Sequence, residues 1–137
     1  MPRILAIDYG TKRIGIAVTD PLKIVANTLT TVETKNAIEF LKNYMATEAV
    51  ETIVVGKPMR LDGSDTHATL PTEKFVSLLR QTFPQVQVVQ VDERFTSAIA
   101  QRAMLEMGMK KKDRQKKEHV DQISAALILQ TYLQMQQ

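Results

Sequence analysis

The chain has no cysteine and no tryptophan, and its 137 residues include only 4 Phe and 3 Tyr. Without cysteine there is neither a disulfide framework nor a thiolate zinc site. The five prolines and five glycines fall singly, and no repeat, linker or low-complexity tract is present beyond one basic run. No apolar run approaches the roughly 20 residues of a membrane span. The opening Met1-Pro-Arg-Ile-Leu-Ala-Ile-Asp8 reaches a charge too soon for a signal peptide. These absences point to a soluble, cytoplasmic protein with no membrane partner. At this length a single domain, 1–137, can bury a core without staples.

Charge is present but unevenly placed. Residues 110–117 hold six basic groups against Asp113, a local +5, so the whole-chain +3 leaves −2 for the other 129 residues. A balanced body with one basic segment is how a polyanion-binding patch looks in sequence, and a solvated charge run looks the same. The candidates for holding nucleic acid are Lys110, Lys111, Lys112, Arg114, Lys116 and Lys117. Lys12, Arg13 and Arg94 flank acidic residues and are weaker candidates, each with an equal claim as a structural ion-pair partner.

The chain is organised around Ile4 to Asp20. An apolar run leads into Asp8, Gly10 follows, and a second β-rich run spans Arg13–Thr19, the pattern of a strand, a tight turn and an antiparallel strand. Gly10 and Gly15 leave room beside Asp8 for a close approach. A third strand is expected over Ile24–Thr31, then a helix over Lys35–Thr47 with Thr34 as N-cap. Thr52–Val55 reads as a buried strand ending at Gly56-Lys-Pro58, followed by a loop with Asp62-Gly63 turn chemistry. Pro71 opens a helix that Pro84 stops, and Val86–Val91 is a strand leading into Asp92-Glu-Arg-Phe-Thr96. Helical patterns cover Ser97–Met107, with Gly108 at the C-cap, and Glu118–Gln134, the latter apolar on most of its circumference. Strand–helix alternation after an opening meander predicts an α/β domain: a mixed sheet with helices on both faces.

Ligands of such sheets bind beyond the carboxyl ends of parallel strands, where Asp8 and Glu93 both fall. Asp121 sits in the first turns of an apolar helix, where a carboxylate needs a partner. Each acid also has a structural explanation: Asp8 can form a turn or cap a helix, Glu93 can pair with Arg94 or Arg102, and Asp121 can answer the basic segment. Together, three carboxylates without a histidine or thiol cluster suit hard cations, Mg²⁺ or Mn²⁺. Two such ions would serve phosphodiester cleavage.

The segments Asp8-Tyr-Gly-Thr-Lys-Arg-Ile-Gly-Ile-Ala-Val-Thr-Asp20, Gly56-Lys-Pro58, Asp62-Gly63, Asp92-Glu-Arg-Phe-Thr96 and Val120-Asp-Gln-Ile-Ser-Ala-Ala126 closely resemble the YqgF family, also called RuvX. Its members are described as pre-16S ribosomal RNA nucleases and as Holliday-junction-resolvase-like proteins. The resemblance spans essentially the whole chain in the family's order. It implies a ribonuclease H-like fold, with a five-stranded mixed sheet whose second strand is antiparallel. It also implies that Asp8, Glu93 and Asp121 are the catalytic, metal-holding acids. Thr19, Lys57, Thr66 and Ser124 depart from the usual pattern, and none of them removes a carboxylate. The activity implied is a metal-dependent endonuclease acting on pre-rRNA or on branched DNA. A homodimer would go with a two-fold junction, and a monomer with RNA. Two other functions compete. A non-catalytic nucleic-acid-binding module could keep the fold for docking on ribosomal or transcription machinery. The Asp-x-Gly-Thr turn also resembles that of the actin and sugar-kinase superfamily, but that fold clasps a nucleotide between two lobes and this chain has residues for one.

Overall fold

Strand β1 (Arg3–Asp8) and strand β2 (Arg13–Thr19) pair antiparallel, with Leu5 opposite Val18 and Asp8 opposite Gly15. Gly10 makes the connection tight: a Cβ there would lie 2.6 Å from the Arg13 carbonyl oxygen. This is a computed structural model, and it describes residues 2–58, 62–64, 66–93 and 117–136. Beyond the last ladder pair, the buried Thr19 hydroxyl accepts the Ile4 N–H at 3.0 Å, so the threonine that departs from the family pattern ties the sheet's margin.

Strand β3 (Ala26–Glu33) begins two residues later than expected. Ile24 and Val25 are apolar, but the Asp20 carboxylate captures their N–H groups at 2.8 and 2.7 Å and the Leu22 N–H at 3.2 Å. An Asx-type loop therefore takes these residues before the ladder can. The Val25 bond is the main reason that the Asp20 carboxyl is held below the usual carboxylate range, with the Ile24 and Leu22 bonds adding to it against a desolvation cost.

Thr34 is not the N-cap of an α-helix. A 3₁₀ turn spans Thr34–Asn36, and the Thr34 hydroxyl donates instead to the Gly10 carbonyl, pinning this turn to the first hairpin. Helix α1 (Ala37–Thr47) follows, then strand β4 (Val50–Lys57), longer at both ends than its apolar run indicated. Helix α2 (Thr69–Thr82) starts two residues before Pro71. Proline is tolerated there because first-turn N–H groups have no intrahelical partner. Strand β5 (Gln87–Asp92) and helix α3 (Lys117–Met135) complete the described elements. The helix expected over 97–107, with its cap at Gly108, lies outside the described residues.

The five strands form one mixed sheet in the order β3-β2-β1-β4-β5, with β2 antiparallel to both neighbours and β4 parallel to β1 and β5. Alternation of side chains divides the core in two. Leu5, Ile7, Ile14, Ile16, Ile53 and Val55 face α1 and α2, where Leu41, Phe75 and Leu79 cover them. Ile4, Ala6, Ala17, Val54 and Val91 face α3, where Ala125, Ile128 and Leu129 cover them. Among the described residues no helix is long and apolar enough to cross a membrane.

Candidate active site

Asp8 continues the alternation Ile4, Ala6, Asp8, so it lies on the α3 face at the carboxyl end of β1, and it is buried. Glu93 directly follows β5, in step with Val89 and Val91 on the same face, and is also buried. Only β4 separates these two strands, and there the facing residue is Gly56, paired with Val91. A Cβ on Gly56 would stand 2.8 Å from Glu93 Oε1 and 3.2 Å from its Cγ. Glu93 therefore lies across the space that Gly56 leaves empty, leaning from β5 toward β1.

Asp121 reaches the same end of the sheet from the other side. Helix α3 sits so close to β2 that a Cβ on Gly15 would fall 2.1 Å from the Asp121 carbonyl oxygen and 2.9 Å from Asp121 Cβ. Gly15 is the cross-strand partner of Asp8. The room that Gly15 leaves is thus filled by the helix and is not open to a ligand. Asp8 is flanked by Glu93 over Gly56 on one side and by Asp121 over Gly15 on the other.

The Asp121 carboxylate, however, accepts a hydrogen bond from Arg13 Nε in a salt bridge. Arg13 is two residues before Gly15 and on the same face of β2. The partner that an acid in an apolar helix requires is therefore, among the described residues, Arg13. Among the described residues no three of His, Cys, Asp and Glu lie close enough together to share a metal ion. The backbone assembles the three acids around one sheet end, and the third carboxylate is paired with Arg13. Beside that pair, Gly10, Thr11, Lys12, Arg13 and Asp121 line an open recess of about 350 Å³, with Lys12 exposed at its edge. Arg94, Lys110, Lys111, Lys112, Arg114 and Lys116 lie outside the described residues, as does the side chain of Lys117.

The sequence reading put the three acids at strand and helix ends and gave Arg13 an equal claim as a structural ion-pair partner, but it did not name Asp121 as that partner. The signal for the pair was an arginine two positions before a glycine on one strand, together with a helical carboxylate in need of a cation. A sequence profile of the RuvX family, described as Holliday junction resolvase, matches residues 2–135.

The chain belongs to the RuvX family. Relatives named "Putative pre-16S rRNA nuclease" agree along nearly their whole length. The one from Bacteroides thetaiotaomicron is 52% identical over 134 residues, covering 98% of this chain and 97% of the relative. That from Flavobacterium psychrophilum is 48% identical over 133 residues, covering 97% of each. Among solved structures, Thermus thermophilus RuvC in complex with Holliday junction substrate superposes with a TM-score of 0.55 at 16% identity, over 99% of this chain and 97% of that one. A second T. thermophilus RuvC structure gives 0.52 at 14% identity, covering 98% and 96%. The RuvX chain thus has the ribonuclease H-like fold of RuvC.

Proposed function

We propose that this RuvX protein is a divalent-metal-dependent endonuclease that hydrolyses phosphodiester bonds of structured nucleic acid, with the pre-16S rRNA end as its substrate. Two buried carboxylates at one end of the sheet carry the reading: Asp8 at the end of β1, and Glu93, which lies over Gly56 of the intervening β4. The naming of relatives at about 50% identity supports the substrate. The donor chemistry fits a hard cation: the acids supply oxygen ligands, and the chain has no thiolate to compete. Asp8 and Glu93 would hold Mg²⁺ or Mn²⁺, with Asp121 joining them once it leaves Arg13. Metal bound there would stabilise the attacking and leaving oxygens of the cleaved phosphodiester. Arg13 and Lys12 would meet phosphate at the adjoining recess. Arg94 and the basic residues Lys110, Lys111, Lys112, Arg114, Lys116 and Lys117 would add sequence-independent attraction along the backbone. The reading takes residues 1–137 as a single nuclease domain working in the cytoplasm.

A second substrate, branched DNA, is favoured by the family's description as Holliday junction resolvase. It would call for a homodimer matching the two-fold junction. One assay separates the readings: cleavage of matched precursor RNA and four-way DNA by one preparation, with Mg²⁺ or Mn²⁺ and an Asp8→Asn control. RNA cleavage that the control lacks is the expected result. DNA cleavage alone selects the resolvase. Cleavage of neither substrate would reduce the protein to a binding module.

A further inference from the structure

We propose that Arg13 is a stand-in cation that holds Asp121 out of the acidic site until a metal ion and a substrate phosphate replace it. The inference rests on the metal-dependent reading above and adds a control element to it. Asp121 Cβ is fixed in place, since the helix backbone presses onto Gly15 with no space for movement toward the sheet. Only rotation about the side-chain bonds is left, and staggered rotamers offer few destinations. One direction meets Arg13, on the same face two residues toward the turn. Another leads along the sheet to Asp8, the cross-strand partner of Gly15. In the first position the carboxylate is neutralised by a guanidinium; in the second it would stand beside other carboxylates, which without metal is repulsive.

The pair is only partly shielded, with side-chain exposures of 38% for Arg13 and 21% for Asp121. Such pairs are weak and screened by salt, so they exchange readily. What Arg13 would turn to is beside it: the recess formed by Gly10, Thr11, Lys12, Arg13 and Asp121, where a phosphate would meet both cations. A phosphate drawing Arg13 away frees Asp121, and a metal drawing Asp121 away frees Arg13. The two ligands then strengthen each other, as linkage requires. Arg13 acts here as a positioning residue, through Asp121.

Two measurements test this, and neither needs turnover. Mn²⁺ titration by calorimetry should show Arg13→Gln binding the ion several-fold more tightly than the wild-type protein, because the competing cation is gone. Equal or weaker binding by the variant would overturn the role of Arg13 while leaving the metal site intact. Absence of saturable Mn²⁺ binding in both proteins would instead overturn the metal reading, and the inference with it. The second measurement uses the wild-type protein and so does not depend on the variant folding. The Arg13 Nε–H resonance in a proton–nitrogen correlation spectrum should shift and lose exchange protection when Mg²⁺ is added to saturation. A signal that stays in place through saturation would show the pair persisting beside the metal, contrary to the proposal.

Discussion

A methyl group added at Gly56 would stand 2.7 Å from Ile128 Cδ1 and 2.8 Å from Glu93 Oε1, both at the ends of flexible side chains. Both can give way, so Gly56→Ala should cost only the ~1–3 kcal/mol typical of overpacking. Its effect on chemistry should be larger, because Glu93 would be pushed off β4 and away from Asp8. We expect cleavage to fall by more than about tenfold, since loss of even the groups that orient metal ligands costs 10–100-fold. A folded Gly56→Ala protein with wild-type kcat/KM would place Glu93 outside the reaction. The amide variants separate the acids by their surroundings. Asp8→Asn should lose cleavage by more than about a hundredfold, with its melting temperature unchanged or raised. Asp121→Asn should lose cleavage similarly but also give up the Arg13 salt bridge, a part-exposed pair worth ~0–1 kcal/mol. Thermal melts beside activity assays check this. Global unfolding of Asp121→Asn would make Asp121 a structural residue first.

The β2–β3 connection depends on one carboxylate accepting three backbone N–H groups, those of Leu22, Ile24 and Val25. These bonds favour the charged form, so the folded pKa of Asp20 lies below its ordinary value of 3.8. The sign follows from linkage: the stabilisation is complete above the unfolded pKa and is lost as pH falls through the lower, folded one. Urea melts of the wild-type protein and Asp20→Asn should therefore differ by a constant amount from neutrality down to about pH 5, and converge in more acid solution. A difference that grows below pH 4 would contradict the assignment. The same loop shows what the sequence could convey. β1 and β2 were readable because alternation, a glycine turn and burial agree there. The sequence pattern starts β3 two residues early because Ile24 and Val25 have strand-forming side chains, while the bonds that claim their backbone come from Asp20, which precedes the apolar run. Thr34 looked like a cap because its type suits one, but its hydroxyl goes to Gly10, 24 positions away. Asp8 and Glu93 could be placed from strand ends alone. The Arg13–Asp121 pair spans 108 positions, and only the close seating of α3 on Gly15 makes it.

Across the whole molecule, the proposed function assigns chemistry to the acids and attraction to the basic residues. Neutralising three of Lys110, Lys111, Lys112, Arg114, Lys116 and Lys117 should flatten the slope of log affinity against log salt by about 2.7, at roughly 0.9 per duplex phosphate contact. An unchanged slope, measured by anisotropy with a labelled duplex, would make the segment a solvated charge run. The sheet order adds a consequence for timing. β1, β2 and β3 are neighbours in sequence and in the sheet, so they can pair while the chain is still being made. Asp8 is synthesised more than a hundred residues before the helix that closes its surroundings, which begins at Lys117 and packs back over those first strands. A chain still emerging from the ribosome therefore carries its first acid in an open half-site. Stalled chains ending before Lys117 should leave RNA intact, whereas chains with α3 clear of the exit tunnel should cut it; cleavage by the shorter ones would separate α3 from the activity. An enzyme that trims ribosomal RNA would in this way be inert until α3 has been made and has packed onto the first strands.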